Sequence, residues 1–269
     1  MSPDPPRLTL CVVARDEEQA LPGCLASVAG LADQLVVVDT GSVDRTIAVA
    51  RELGAEVHQH TWADDFALHR NQALGYAQGE WVLVLDADER LAPQGREELP
   101  ALLHAPDAAD VLYLPVESTI SGGAMVVSLP RLFRRRLEAE YRYPVHEQLV
   151  FPPAARVGFA ALRIIHSGYA SPEQNRAKAL RNLALLQRMA AGEEHRLRFE
   201  VRTLGTLRRW EELRQLFARY RSLHPAPAAD ACSLAILADL LLEQEEEGWQ
   251  LLQLARQLHP RSLDVAHAG

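Results

Sequence analysis

Apolar positions along the chain alternate between short continuous runs and helical spacing. Residues 8–14 form a run rich in Val and Leu, the pattern of a strand buried on both faces. After it, Leu21, Cys24, Leu25 and Val28 recur on one helical face, with Asp16 placed to cap the helix and Glu17 and Glu18 at its positive end. Residues 35–39 read as a second strand; the next helix is capped by Asp44, carries Ile47, Ala50 and Leu53, and ends at Gly54 in a left-handed conformation. Residues 55–59 read as a third strand. A helix from Asp64 turns Phe66, Ala73, Leu74 and Ala77 inward and stops at Gly79, and residues 81–85 form a fourth strand. Four strands separated by helices predict a parallel sheet.

From Val111 to His166 the pattern changes to short β segments with Pro and Gly breaks, including a turn at Ser121-Gly122-Gly123 and a strand over 161–165. Beyond Ser171 it becomes rich in Ala, Leu, Glu and Arg at helical spacing. There Trp210-Glu-Glu-Leu leads to Leu223-His224-Pro225, and Trp249-Gln-Leu-Leu leads to Leu258-His259-Pro260. A helix pair closed by proline is the habit of tetratricopeptide-like repeats, and a plain helical bundle accounts for it nearly as well. The expected organisation is an α/β domain with a mixed sheet over 7–170 and an all-α, TPR-like domain over 171–269. Leu234, Leu237 and Leu241 suit either a helical core or a homodimer interface.

Composition narrows the class. Of 269 residues, 48% are apolar and 24% charged, which excludes disordered and collagen-like chains. No apolar run approaches the roughly 18 residues of a membrane span, and Met1 to Arg7 lacks the pattern of a signal peptide, so a cytoplasmic location is expected. Cys11, Cys24 and Cys232 are widely spaced and read as core residues of a reducing compartment. The net charge of -8 argues against a nucleic-acid partner. Its distribution is uneven: residues 1–100 hold 7 basic and 17 acidic groups, a balance of -10, and the rest hold 21 and 19, a balance of +2. Arg131, Arg134, Arg135 and Arg136 cluster, as a solvated strand edge or as an anion contact.

Ligands of such sheets bind at the carboxyl ends of the strands, where loops and helix N-termini converge. Three of those ends carry carboxylates: Arg15-Asp16-Glu17-Glu18, Asp39-Thr40-Gly41-Ser42 and Asp86-Ala87-Asp88-Glu89. In an extended chain Asp86 and Asp88 point the same way and can reach one hard cation, Mg²⁺ or Mn²⁺, which keeps positions open for phosphate oxygens. An acidic loop capping the next helix is the competing reading of such a pair. His58 and His60 alternate on the third strand and read as surface residues.

Val36-Val37-Val38-Asp39-Thr40-Gly41-Ser42, then Asp44-Arg45-Thr46, Trp62-Ala-Asp64-Asp65-Phe66, Arg70-Asn71 and Asp86-Ala-Asp88-Glu89 resemble family 2 glycosyltransferases in order and spacing. The blocks Arg131-Leu-Phe133-Arg134, Val145-His146-Glu147-Gln148 and His166-Ser167-Gly168-Tyr169 resemble the bacterial subgroup in which a GT-A domain precedes tetratricopeptide-like helices. The resemblance implies a GT-A fold and an inverting transfer from a nucleotide-sugar donor, UDP-sugars favoured, to a protein, peptide or glycan acceptor. Peripheral membrane association through the acceptor is left open.

Carried onto this chain, the resemblance places the donor nucleotide at Glu17, Asp39, Asp65, Arg70 and Asp86, and a divalent metal at Asp86, Asp88 and His166. It places the acceptor chemistry at Glu147 as general base, with His146 or Glu89 as substitutes, and Asp88 on the departing diphosphate. Asp39 also reads as a turn former, Asp65 as a helix cap, and Arg70 as a surface arginine. Asn71 is placed to cap or order the loop. One position departs from the subgroup, which has Lys-Asn-Glu-Glu where this chain has Arg15-Asp16-Glu17-Glu18, so the amide donor is lost. The alternative function is a non-catalytic helical-repeat interaction protein with a vestigial nucleotide pocket.

Overall fold

The computed structural model describes residues 7–105, 109–120, 123–167, 172–190, 194–223 and Gln253. The chain divides into two compact units, Met1–Tyr169 and Ala170–Gly269.

In the first unit, β1 (Leu8–Ala14), β2 (Gln34–Asp39), β3 (Glu56–Gln59) and β4 (Trp81–Asp86) lie parallel in the order β3-β2-β1-β4. Between them run α1 (Leu21–Ser27), α2 (Thr46–Glu52) and α3 (Phe66–Tyr76). After β5 (Glu89–Leu91) and α4 (Pro93–His104), the strands β6 (Val111–Ile120) and β7 (Gly123–Arg134) form an antiparallel pair. β7 joins β4 antiparallel, which makes the sheet mixed, and the order continues β4-β7-β6-β11-β5, with β11 at Ile164–His166. β10 (Val157–Phe159) pairs with β6, and β8 (Glu140–Arg142) pairs with β9 (Gln148–Val150) in a separate ribbon.

The expected short segments between 111 and 166 are in fact one long hairpin followed by short strands. Local breakers were misleading because Pro115 and Pro130 sit within paired strands, and the cross-strand register carries the ladder past them. Ser121 and Gly122 lie outside the described residues.

The core has two layers, one on each sheet face. Leu10, Val12, Leu83 and Leu85 pack with Leu21, Cys24 and Leu25 of α1 and with Leu99 and Leu103 of α4. Val36, Val38, Val82, Val84 and Phe133 pack on the other face with Ala67 and Ala73 of α3. Successive residues of a strand face opposite ways, so strands covered on both sides are apolar at every position. Gly79 is needed where α3 returns to β4: a Cβ there would stand 2.6 Å from the Thr9 nitrogen, and its N–H donates to Thr9 Oγ1 at 2.8 Å. Gly54 has the left-handed φ of +83° that ends α2.

Two helix starts differ from expectation. Asp16 does not cap α1, which begins at Leu21 after a turn whose Glu17 carbonyl accepts the Ala20 and Leu21 N–H groups. Asp65, rather than Asp64, caps α3, accepting the Leu68 N–H at 2.9 Å. Asp44 holds the first N–H of α2, that of Thr46, at 2.9 Å. Cys11 and Cys24 are free and buried as expected, and Cys232 lies outside the described residues.

The second unit contains α5 (Pro172–Arg188), α6 (Glu194–Thr206) and α7 (Trp210–Leu223). Leu183, Leu186, Leu197, Val201, Leu204 and Leu213 are among its buried residues. The matching half of the repeat, from Trp249 to Pro260, and Leu234, Leu237 and Leu241 lie outside the described residues.

Candidate active site at the carboxyl end of the sheet

β4 ends at Asp86, and a tight turn through Ala87 and Asp88 leads into β5. β5 is antiparallel to β11, and β11 is parallel to β6. Their registers set Glu89 opposite His166, His166 opposite Ser118, and Ser118 opposite Met125. Residues opposed in this way share a sheet face. Asp88 Oδ2 meets His166 Nε2 at 3.0 Å, and the Ser118 hydroxyl lies 3.1 Å from the other ring nitrogen, Nδ1. The Ser167 N–H and hydroxyl both donate to the Asp88 carbonyl at 3.0 Å, so β11 clasps the turn through backbone as well as side chain. The hydrogen bond to Asp88 raises the His166 pKa against the opposing effect of partial burial.

Asp86 lies between two arginines. Arg70, from α3, donates Nη2 to Asp86 Oδ1 at 2.6 Å and Nε to Glu147 Oε1 at 2.5 Å. Arg131, from β7, donates to Asp86 Oδ2 at 3.0 Å and to Glu89 Oε1 at 2.6 Å. Burial alone would raise the Asp86 pKa; the two guanidiniums outweigh it and hold the carboxyl far below its ordinary range. Glu89, almost wholly buried, is shifted the opposite way by desolvation and by the Asp86 charge. Its Oε2 accepts the Asp86 N–H at 2.8 Å, so it braces the turn from behind. Tyr141 lies 5.4 Å from the Arg70 guanidinium, and burial pushes its phenol up to about 12. Asn71 orders this wall: its amide exchanges two hydrogen bonds with the Tyr141 backbone, at 2.9 and 2.7 Å.

At the end of β2, Asp39 is buried. Its Oδ1 accepts the Gly41 and Ser42 N–H groups at 3.0 and 3.1 Å, and Oδ2 accepts the Ser42 hydroxyl. The turn-forming reading of Asp39 is therefore realised. Asp16 has a left-handed φ of +55°, accepts the Val43 N–H at 2.8 Å through its side chain, and donates its own N–H to the Ser42 hydroxyl at 2.9 Å. The contact needs an oxygen acceptor, which Asp and Asn side chains both have. The Glu17 N–H donates to Thr46 Oγ1 at 2.7 Å. The loops after β1 and β2 are thereby stitched together. Asp65 stands at the head of α3, one turn before Arg70.

The expected set thus divides into groups. Arg70, Asp86 and Glu147 form one bonded chain, Asp88 and His166 a second, and Glu17 and Asp39 belong to the stitched loops. Asp65 serves α3 as its cap. His146 has a left-handed φ of +53° next to Glu147. His58 stacks on Tyr76 with ring centroids 3.5 Å apart.

Sequence reasoning missed Arg131 as a site residue by grouping it with Arg134 and Arg136, which pair elsewhere, with Glu80 and Asp110. Its signal was alternation: Arg131 shares a strand face with buried Phe133, and an inward arginine requires a carboxylate partner. Ser118 had no signal, because only the parallel register of β6 and β11 brings it to His166.

Among the described residues no three His, Cys, Asp or Glu side chains are disposed to hold a metal ion. Asp88 and His166 offer one oxygen and one nitrogen donor 3.0 Å apart, both partly exposed, a set that suits Mn²⁺ or Mg²⁺ with positions left for water and phosphate. Both oxygens of Asp86 accept from arginines in this arrangement.

A curled mixed sheet with helices on both faces and carboxylates at its carboxyl end defines a glycosyltransferase fold of the GT-A type. The chain belongs to glycosyl transferase family 2, whose signature matches residues 9–156. A TPR repeat-containing protein of Synechococcus elongatus is 46% identical over 141 residues, covering 52% of this chain and 35% of that protein. The SPbeta prophage-derived glycosyltransferase SunS of Bacillus subtilis is 25% identical over 279 residues, covering 97% of this chain and 65% of SunS. The chain therefore spans between about a third and two thirds of the length of these relatives. Among solved structures, residues 1–349 of S. aureus TarS share the fold with a TM-score of 0.50 at 16% identity, covering 97% of this chain and 88% of that one. No helix among the described residues is long and apolar enough to cross a membrane.

Proposed function

We propose that this chain is an inverting, metal-dependent glycosyltransferase that moves a sugar from a nucleoside-diphosphate donor, a UDP-sugar in the favoured case, to a protein, peptide or glycan acceptor. The observation that carries the proposal is the meeting of Asp88 and His166 beside the doubly clamped Asp86 in a chain of family 2. Asp88 and His166 would hold Mn²⁺ or Mg²⁺. Bound there, the cation supplies positive charge to the departing diphosphate.

The residues of the chain do the rest. Arg70 and Arg131 keep Asp86 ionised and fixed at the strand end, and Glu89 braces its backbone. The loops stitched by Asp16, Asp39 and Ser42, with Glu17 and Asp65 alongside, form the donor nucleotide side. Glu147 is assigned as the general base that takes the acceptor proton; Arg70 holds its carboxylate on the acceptor side of Asp86. Glu89 is instead committed to bracing the turn, accepting from the Asp86 N–H and from the Arg131 guanidinium. His146 stays the alternative base. The helical unit is assigned a TPR-like architecture over 171–269.

Calorimetry with UDP and GDP, with and without Mn²⁺, on the wild type and on Asp88→Ala tests this reading. Metal-dependent UDP binding that the variant loses supports it. A folded wild type that binds no nucleotide under any metal overturns it in favour of an interaction protein.

A further inference from the structure

Glu147 stands on a segment that α3 holds at three points. β8 and β9 form a separate two-stranded ribbon joined by the loop 143–147, and a ribbon of that size is marginal in water without outside anchors. The Phe66 N–H, one of the first-turn donors that a helix leaves unpaired, donates to the Pro144 carbonyl at 2.9 Å. One turn further along α3, Arg70 Nε reaches Glu147 Oε1 at 2.5 Å. Beside it, Asn71 donates Nδ2 to the Tyr141 carbonyl at 2.9 Å and accepts the Tyr141 N–H at Oδ1 at 2.7 Å.

The Asn71 contact completes the ribbon. β8 pairs with β9 through Glu140 and Val150, Tyr141 and Leu149, and Arg142 and Gln148. In an antiparallel pair, residues whose N–H and C=O face the partner alternate with residues whose groups face outward. Tyr141 is of the second kind, and both of its outward groups end on one side-chain amide. Asn71 thus does for the outer edge of β8 what a third strand would do, with a donor and an acceptor that only an amide supplies together.

The loop beyond Tyr141 needs such support. Tyr143, at φ +76°, and His146, at φ +53°, hold left-handed backbone that residues other than glycine seldom adopt, and which persists where the surroundings fix it. Val145 between them is buried. The Tyr141 ring also lies 5.4 Å from the guanidinium of Arg70, so the residue that Asn71 holds by its backbone flanks the arginine that holds Glu147.

We propose that Asn71 is a positioning residue for the transfer step: by closing the outer edge of β8 it sets where the strained loop 143–147 presents Glu147. The inference rests on the transferase reading with Glu147 as its base. Asn71 acts there through Tyr141, and its two hydrogen bonds go to the ribbon and not to Asp86 or Asp88.

The test uses the whole chain with Asn71→Asp, which keeps the oxygen that accepts the Tyr141 N–H and loses the donor, and Asn71→Ala, which loses both. Amide exchange over residues 140–150 is expected to speed up at least ~10-fold in both variants and to stay unchanged over residues 8–14. UDP release from UDP-glucose and UDP-GlcNAc, with Mn²⁺ and with water as acceptor, is expected to fall about 10- to 100-fold in kcat, with the donor KM within about twofold. Added to Glu147→Gln, Asn71→Asp is expected to cost no more than about threefold further, because a residue acting through Glu147 then has no base to position. Losses that multiply in the double variant, or an unchanged kcat in Asn71→Asp, overturn the proposal. Calorimetry with UDP and Mn²⁺ on the same samples separates the two levels. Its absence from the wild type defeats the transferase reading, whereas UDP binding together with either of those results defeats the positioning role alone. For a wild type that binds UDP and hydrolyses neither donor, the exchange decides: faster exchange over 140–150 in the variants supports the role, and unchanged exchange there overturns it.

Discussion

Asp86 and Glu147 share one guanidinium: Arg70 donates to the first at 2.6 Å and to the second at 2.5 Å. The two carboxylates are thereby fixed relative to each other by a residue of α3 that is itself almost buried. Replacing Arg70 with Met leaves Glu147 without its Arg70 partner and Asp86 with Arg131 alone. Removing one partner of a fully buried pair costs about 3–5 kcal/mol, and the partial exposure of Asp86 lowers the expected loss to ~2–3 kcal/mol. Urea unfolding of Arg70→Met and of the Arg70→Met, Glu147→Gln double variant checks it, with the double variant expected to recover part of the loss.

Glu147→Gln keeps the shape of the side chain and removes its basicity. Transfer is expected to fall by about 10²- to 10⁴-fold, the usual contribution of a positioned base, while donor binding stays within twofold. Single-turnover transfer alongside UDP calorimetry separates the two, and undiminished transfer would return the role to His146.

His166→Ala removes one of the two proposed metal ligands without touching Asp86. Mn²⁺ affinity, read by electron paramagnetic resonance of the free ion, is expected to fall at least tenfold. Ser118→Ala, which frees the ring nitrogen opposite Asp88, is expected to give a smaller loss of the same sign. Unchanged Mn²⁺ binding in His166→Ala would remove that residue from the site.

At Asp16 the structure supports an exchange. Asp16→Asn keeps the oxygen that accepts the Val43 N–H and suits the left-handed backbone, so stability should stay within ~0.5 kcal/mol. Asp16→Ala loses both features and is expected to cost about 1–2 kcal/mol, as thermal unfolding would show.

Gly79→Ala places a methyl 2.6 Å from the Thr9 backbone nitrogen, where no flexible side chain can yield. A destabilisation of about 1–3 kcal/mol is expected by denaturant titration. Cys11 gives an independent check of the core: burial pushes its thiol up to about 12, so iodoacetamide should label it only on unfolding.

The parallel strands and three intervening helices were legible from the chain because β1, β2 and β4 are covered on both faces and each helix on one, which imprints a continuous run or a 3.6-residue period. The carboxylates at the strand ends were legible for the same reason, since the end of an apolar run marks where a loop begins. Which partner each carboxylate takes was set by tertiary structure. The register of β11 between β5 and β6 brings His166 to Asp88 and Ser118 to His166, the packing of α3 on the sheet delivers Arg70 to Asp86, and the pairing of β7 with β4 delivers Arg131. Such pairings join residues far apart in the chain, and their strength comes from removing water around opposite charges, which no local spacing records. The long β6–β7 hairpin was hidden likewise, because its length follows from cross-strand pairing and its prolines read locally as breaks.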